Sequence, residues 1–91
     1  SYQSDRPFVL TAFQDFLENL PGNVFRAKGL LWFTESPQKY IFQLSGKRCT
    51  LEVEDWNGAS PNNQIVFIGR NITQDDIHQQ LTLCYPAEVT A

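Results

Sequence analysis

Hydrophobic positions alternate with other residues most clearly across Val24–Phe33, the sequence VFRAKGLLWF. A period of two is typical of a β-strand, because successive side chains of a strand point to opposite faces. One face carries only apolar or small residues, namely Phe25, Ala27, Gly29, Leu31 and Phe33. The opposite face carries Val24, Arg26, Lys28, Leu30 and Trp32. We expect the first face to pack under helices and the second to meet a surface outside the chain.

A first helix is predicted over Leu10–Leu20. Apolar residues recur there at intervals of three and four, which places on one helical face Phe13, Phe16, Leu17 and Leu20. Thr11 with Gln14 three residues later matches a capping box at the start of this helix. Pro21-Gly22 is expected to end it.

A second helix is predicted after Thr73, which we expect to be its N-cap residue. Asp75 and Asp76 fall in the first turn, where the helix dipole favours negative charge. Ile72 and Ile77 have the spacing of a hydrophobic staple. The face turned toward the core is expected to carry Ile77, Leu81 and Cys84.

Two more strands follow a turn predicted at Thr34–Gln38. Lys39–Ser45 and Arg48–Glu54 both alternate apolar with polar residues, and only Gly46-Lys47 separates them. A loop this short predicts an antiparallel hairpin. Together with the preceding strand, the hairpin predicts an antiparallel meander.

Three further segments complete the predicted fold. Ser1–Phe8 should begin as an extended segment, and Asp55–Asn63 should form an irregular loop with Trp56 folded over the edge of the core. Gln64–Gly69 is almost continuously apolar, which indicates a buried central strand. The expected fold is α+β: a mostly antiparallel sheet of four to five strands with two helices on one face, in the order β-α-β-β-β-β-α.

Length and charge restrict the possible functions. Ninety-one residues indicate one domain, spanning residues 1–91. The net charge of −3 provides no basic excess, so nucleic acid is not an expected partner. The longest apolar run, Gly29–Phe33, is too short to span a membrane. Cys49 and Cys84 could form one disulfide, but we favour two reduced, largely buried thiols in a cytoplasmic protein.

No constellation of catalytic or metal-ligating residues is recognisable. His78 is the single histidine and is best interpreted as a solvated residue on a helix surface, because a zinc site needs three or four converging donors. The acid pairs Asp75/Asp76 and Glu52/Glu54 lack the surroundings that separate the pKa values of an acid/base pair. We therefore predict no catalytic, cofactor-binding or metal-binding residue in this chain.

Four charged or aromatic residues remain as a candidate interaction surface: Arg26, Lys28, Trp32 and Arg70. One interpretation is that the aliphatic stems of the cations cover the sheet while their charged ends reach water. The other is that this face meets a partner rich in carboxylate or phosphate groups. Cations on an exposed sheet face are common, so these residues by themselves favour the first interpretation. Because no partner chemistry lies within the chain, we carry the second forward as the hypothesis for this face.

Four segments together resemble the C-terminal domain of the CobW family of P-loop GTPases. They are Arg6-Pro7-Phe8, Val24–Gly29 running into Leu31-Trp32, Phe42–Arg48, and Gln64–Arg70 followed by a capped helix. The R-A-K-G and V-F-I-G-R stretches are the most specific. Val9-Leu10 stands where the family often has His-Pro, and the histidine-rich segments of some members are missing.

The resemblance implies a longer parent protein with an N-terminal GTPase domain, which would hold GTP, Mg²⁺ and a cysteine-rich metal motif. It also implies delivery of zinc or cobalt to a client metalloprotein, in some members linked to cobalamin biosynthesis. None of those nucleotide or metal motifs lies in this chain, so we expect no enzymatic activity and no cofactor in the domain itself. Its expected partners are the GTPase domain of the same polypeptide and the client. The alternative is a free-standing module that binds a peptide or small ligand, with Trp56 and the loop Asp55–Asn63 at the entrance of its binding site.

Overall fold

The strand Val24–Phe33 lies at the centre of a five-stranded sheet in the computed structural model, which describes residues 1–87. In chain order the elements are β1 (Tyr2–Ser4), α1 (Leu10–Glu18), β2 (Val24–Phe33), β3 (Ser36–Ser45), β4 (Arg48–Glu54), β5 (Asn63–Gly69) and α2 (Gln74–Thr82). The strands lie in the order β1-β5-β2-β3-β4, and each neighbouring pair is antiparallel. The predicted α+β architecture and its element order are confirmed.

The core forms where the two helices meet one face of this sheet. Its buried members are Phe8, Phe13, Phe16, Val24, Ala27, Leu31, Phe33, Phe42, Ile65, Ile77, Leu81 and Cys84. Phe13 of α1 lies at the centre, with its ring centroid 5.5 to 5.9 Å from those of Phe8, Phe33 and Phe42. The predicted inward faces of both helices are confirmed, because their apolar residues supply one side of this cluster.

A β-bulge changes which residues of β2 face the core. Val24 pairs with Gly69 and Arg26 pairs with Ile68 on β5, so Phe25 is an extra residue between two ladder positions. The bulge breaks the alternation: Val24 is buried, whereas Phe25 is 44% exposed. The prediction that Phe25 packs under the helices is therefore wrong, and Val24 takes that place.

The start of α1 is not stabilised by the predicted capping box. Val9 is the N-cap residue and its side chain makes no capping hydrogen bond. Instead, the carboxylate of Glu35 accepts the backbone N–H of Leu10 at 3.2 Å. Hydrogen bonds from Thr34 and from Leu10 lower the pKa of Glu35. A residue distant in sequence thus provides the anion that the helix N-terminus favours.

Three element boundaries differ from the sequence prediction. α1 ends at Glu18 rather than at Leu20, and β3 begins at Ser36, within the predicted turn. Asn63, within the predicted loop, is the first residue of β5 and is fully buried. Of the three shifts, the one at Asn63 goes with long-range hydrogen bonds, from the backbone N–H of Trp32 and to the carbonyl of Arg6.

Strand β4 lies beyond the reach of the helices. Two helices, each about 10 Å across, cover about four strands that are spaced about 4.8 Å apart. All seven residues of β4 are exposed, including three on the helix side of the sheet: Cys49, Leu51 and Val53. The prediction of two largely buried thiols is therefore correct for Cys84 and wrong for Cys49.

Strand β5 is less buried than its apolar sequence predicts. This strand lies between β1 and β2, and the central position belongs to β2. Ile65 is buried on the helix side, but Val66 and Ile68 are 41% and 49% exposed on the opposite side. No helix among the described elements covers that second face, which we call the open face.

Candidate interaction surface on the open sheet face

The pairing register defines the open face. Directly opposed residues of antiparallel strands project to the same side of a sheet, so each row across β5, β2, β3 and β4 can be read from the ladder. The three rows are Ile68–Arg26–Ser45–Arg48, Val66–Lys28–Gln43–Thr50 and Gln64–Leu30–Ile41–Glu52. Charge is therefore distributed unevenly along the strands, with cations at one end and carboxylates toward the other.

The basic end contains two of the four candidate residues side by side. Arg26 and Lys28 are both exposed and alternate along β2 on the open face. Arg70 follows β5 at the same end, where its backbone N–H donates to the carbonyl of Asn23 at 2.9 Å. The structure thus brings Arg26, Lys28 and Arg70 to one end of the sheet.

Trp32 is not part of this cluster. It lies six residues beyond Arg26, which is about 20 Å along an extended strand. It is half-buried, and its backbone N–H donates to the Oδ1 atom of Asn63 at 2.7 Å. Trp32 is therefore held at the opposite end of the open face from Arg26 and Lys28.

Arg48 is a basic residue of this surface that the sequence interpretation missed. The two-residue loop Gly46-Lys47 places Arg48 opposite Ser45, and Ser45 lies opposite Arg26. The hairpin pattern contained this information, because a two-residue loop fixes the register of its strands. Among residues 1–87, Arg26, Lys28 and Arg48 have no carboxylate within ion-pair distance.

The acidic end is built around an ion pair. Lys39 and Glu54 face each other on β3 and β4, with Nζ 3.3 Å from the carboxylate. The same ammonium group lies 5.8 Å from the centre of the Trp56 ring. Trp56 is only 9% exposed and lies outside the buried core cluster. It is packed down beside the ion pair, so it does not line an open mouth for a ligand.

The titratable side chains of the described residues are dispersed over the fold. No group of three or more histidine, cysteine, aspartate or glutamate side chains within residues 1–87 could hold a metal ion. His78 is half-buried rather than fully solvated, because its imidazole packs edge-on against Tyr2 with ring centroids 5.1 Å apart. Burial raises the pKa of the Cys84 thiol to about 11, with a further contribution from the negative charge of Asp15.

Neither helix within residues 1–87 is long and apolar enough to cross a membrane.

Comparison with known proteins gives consistent results. Residues 1–85 match the family described as the cobalamin synthesis protein cobW C-terminal domain. Among solved structures, the Zn(II)-bound YjiA GTPase from E. coli is similar, with a TM-score of 0.82 and 22% identity. A Zn(II)-bound triple mutant of YjiA gives a TM-score of 0.78 and 20% identity. Each match covers 93% of this chain but 28% of the YjiA chain, and at these identities it shows the shared fold.

Proposed function

Since the chain belongs to the family of cobW C-terminal domains, we propose that it is the accessory domain of a GTP-dependent metal chaperone in the cytoplasm. In the longer polypeptide, the N-terminal GTPase domain binds GTP and Mg²⁺, and zinc or cobalt is the cargo handed to a client metalloprotein. The accessory domain packs against the GTPase domain or the client and couples the nucleotide state to metal delivery. That YjiA, a protein of similar fold, is described as a Zn(II)-bound GTPase supports this proposal.

The observation that carries the proposal is the set of unpaired cations at the basic end of the open face. Arg26, Lys28 and Arg48 share this end without a carboxylate partner among residues 1–87. Exposed apolar side chains, Val66 and Ile68, lie directly beside them on β5. Cations next to exposed apolar groups suit a protein partner that presents carboxylates around an apolar centre.

Coupling requires that this face contact its partner differently in the GTP and GDP states. A contact of equal strength in both states cannot shift an equilibrium, however strong it is. We therefore place the basic end against a segment of the GTPase domain that moves on nucleotide hydrolysis. Arg70 contributes because it lies at the same end, while Trp32, at the far end, contributes only if the partner spans the length of the face.

The experiment replaces Arg26 and Lys28 together by Ala in the polypeptide that includes the GTPase domain. Both side chains are exposed, so the melting temperature of the domain should stay nearly unchanged. The rate of GTP hydrolysis or the affinity for the client should change, and the affinity should become less dependent on salt.

The matched control is Lys47→Ala, which removes an exposed cation from the hairpin loop next to the face. It should leave the GTPase rate and client affinity at their original values. If the double variant is folded and both quantities are also unchanged, the assignment of the surface is wrong.

A further inference from the structure

Strand β4 is a seven-residue open edge of the sheet that no described helix or strand covers. All seven of its residues pair with β3 in an uninterrupted register, so no bulge twists the edge away. The strand contains neither Pro nor Lys, two residues that commonly discourage pairing at sheet edges. The other edge, β1, is only three residues long. β4 is therefore the edge best suited to accept another strand.

The ladder determines which backbone groups of β4 point outward. Gly46 N–H donates to the carbonyl of Phe25 at 2.8 Å, so Arg26 and Ser45 form a pair without direct hydrogen bonds. The N–H and C=O groups of Ser45 consequently point toward Arg48 on β4. Because this direction alternates along an antiparallel ladder, the groups that point to the free edge belong to Cys49, Leu51 and Val53.

We propose that β4 pairs antiparallel with β4 of a second copy of this chain, with the two-fold axis at Leu51. In this register Leu51 faces its own counterpart, and Cys49 faces Val53 of the other copy. The backbone N–H and C=O groups of these three residues point outward. In this register, the N–H groups of one copy therefore lie opposite the C=O groups of the other. The ten strands of the two copies then form one continuous sheet.

The side chains of β4 are complementary to themselves in this register. On the open face, Arg48 lies opposite Glu54 of the other copy at both ends of the paired strand. Glu54 already contacts Lys39 within its own copy, but its side chain is still 54% exposed and can accept a second cation. On the helix side, the uncovered residues of both copies form one apolar band, which removes Leu51 and Val53 from water.

Neighbouring registers fit less well. Centring the pair on Glu52 would place this carboxylate opposite its own copy, and like charges directly opposed destabilise a sheet. Centring it on Thr50 would leave Val53 and Glu54 facing the hairpin loop instead of the strand. The register centred on Leu51 pairs all seven residues of β4.

The interface is small, so the association should be weak. One strand pair with a narrow apolar band buries well below the roughly 1,600 Å² of a standard interface. We expect a dissociation constant on the order of 100 µM, which sedimentation equilibrium can measure. The 91-residue chain is the sample for this test, because its buried cluster packs both helices against the sheet.

The test reverses the charge at Arg48 or at Glu54, which lie opposite each other across the proposed interface. Arg48→Glu places two carboxylates opposite each other, and Glu54→Arg places two cations opposite each other, so each variant alone should sediment near 10.4 kDa. An equimolar mixture of the two variants restores both opposite-charge pairs. The mixture should therefore associate as the original chain does. The control is Glu18→Arg, which makes the same charge change as Glu54→Arg at an exposed position of α1. It should leave dimerisation intact.

Four results would overturn the proposal. The original chain could stay monomeric at about 1 mM, ten times the expected dissociation constant. Its dimer could resist both charge reversals, which would place the interface elsewhere. The mixture could fail to associate, which would exclude this register. Finally, the amides of Cys49, Leu51 and Val53 could be protected from hydrogen exchange in the monomeric longer polypeptide, which would assign the edge to the GTPase part instead.

Discussion

The Oδ1 atom of Asn63 accepts a 2.7 Å hydrogen bond from the backbone N–H of Trp32. The ladder between β2 and β3 shifts register between Leu31 and Phe33, so Trp32 lies at an irregularity of that ladder. The amide nitrogen of Asn63 donates to the carbonyl of Arg6 at 2.6 Å. One fully buried side chain thus joins β2, β5 and the segment that leads into α1.

Replacing Asn63 by Ala should destabilise the fold by about 2 to 4 kcal/mol. The substitution removes the acceptor of the half-buried Trp32 N–H, and an unsatisfied group of this kind costs about 1 to 3 kcal/mol. It also removes the two hydrogen bonds that the buried amide donates to Arg6 and Ser4, each worth about 1 kcal/mol or less. Urea denaturation monitored by tryptophan fluorescence would measure the change. Asn62→Ala is the matched control, because the hydrogen bonds of the Asn62 side chain within residues 1–87 are to nearby Ser60 and Gln64, and it should cost less than about 0.5 kcal/mol.

Replacing Gly29 by Ala should destabilise the fold by about 3 kcal/mol or more, in the range of severe overpacking. A Cβ atom at this position would overlap the carbonyl oxygen of Gln64 and lie 2.8 Å from the Cα atom of Ile65, both of them backbone atoms of β5. The two central strands would have to separate. Gly22→Ala offers the comparison, because a Cβ atom added there would have no neighbour within 4 Å, and its midpoint in urea should barely change. Equal midpoints for the two variants would contradict the close approach of β2 and β5.

The bulge at Phe25 predicts that two phenylalanines of the sheet differ in their contribution to stability. Phe42 is fully buried, so Phe42→Ala should cost about 3 to 5 kcal/mol. Phe25 is 44% exposed, so Phe25→Ala should cost about 1 kcal/mol or less. Thermal unfolding of both variants measures the difference. A large loss for Phe25→Ala would instead support strict alternation along β2.

Stability should decrease as the pH rises from 9 toward 11. Burial, followed by the charge of Asp15, raises the pKa of the Cys84 thiol from 9.0 to about 11. Below pH 9 the thiol is neutral in both the folded and unfolded states. Between the two pKa values the unfolded chain loses the proton first, so unfolding is favoured by up to about 2 kcal/mol.

Denaturation curves at several alkaline pH values would measure this dependence. Burial and the hydrogen bond with Tyr85 also raise the pKa of Tyr2, which adds a loss of the same sign above pH 10. The comparison is therefore best made in a Tyr2→Phe background, with and without Cys84→Ala. The Cys84→Ala variant should show a smaller decrease between pH 9 and 11, and an identical decrease in both proteins would contradict the buried thiol.

Much of the fold follows from the sequence because local patterns constrain it directly. The alternation along β2 and the two-residue loop Gly46-Lys47 predicted the meander, and the helical spacing of Ile77 and Leu81 predicted the inward face of α2. The family could be recognised for the same reason, since its segments keep their order along the chain. The two-residue alternation along β2 was enough to predict that Arg26 and Lys28 lie on the same face of the sheet.

The tertiary structure decided what depends on partners distant in sequence. The bulge at Phe25 arises from pairing with β5, and the cap of α1 comes from Glu35, neither of which a local window contains. Trp32 shared a face with Arg26 in the pattern, yet the length of the strand keeps the two apart. The exposure of β4 follows from the width of two helices against five strands, which alternation within one strand cannot reveal.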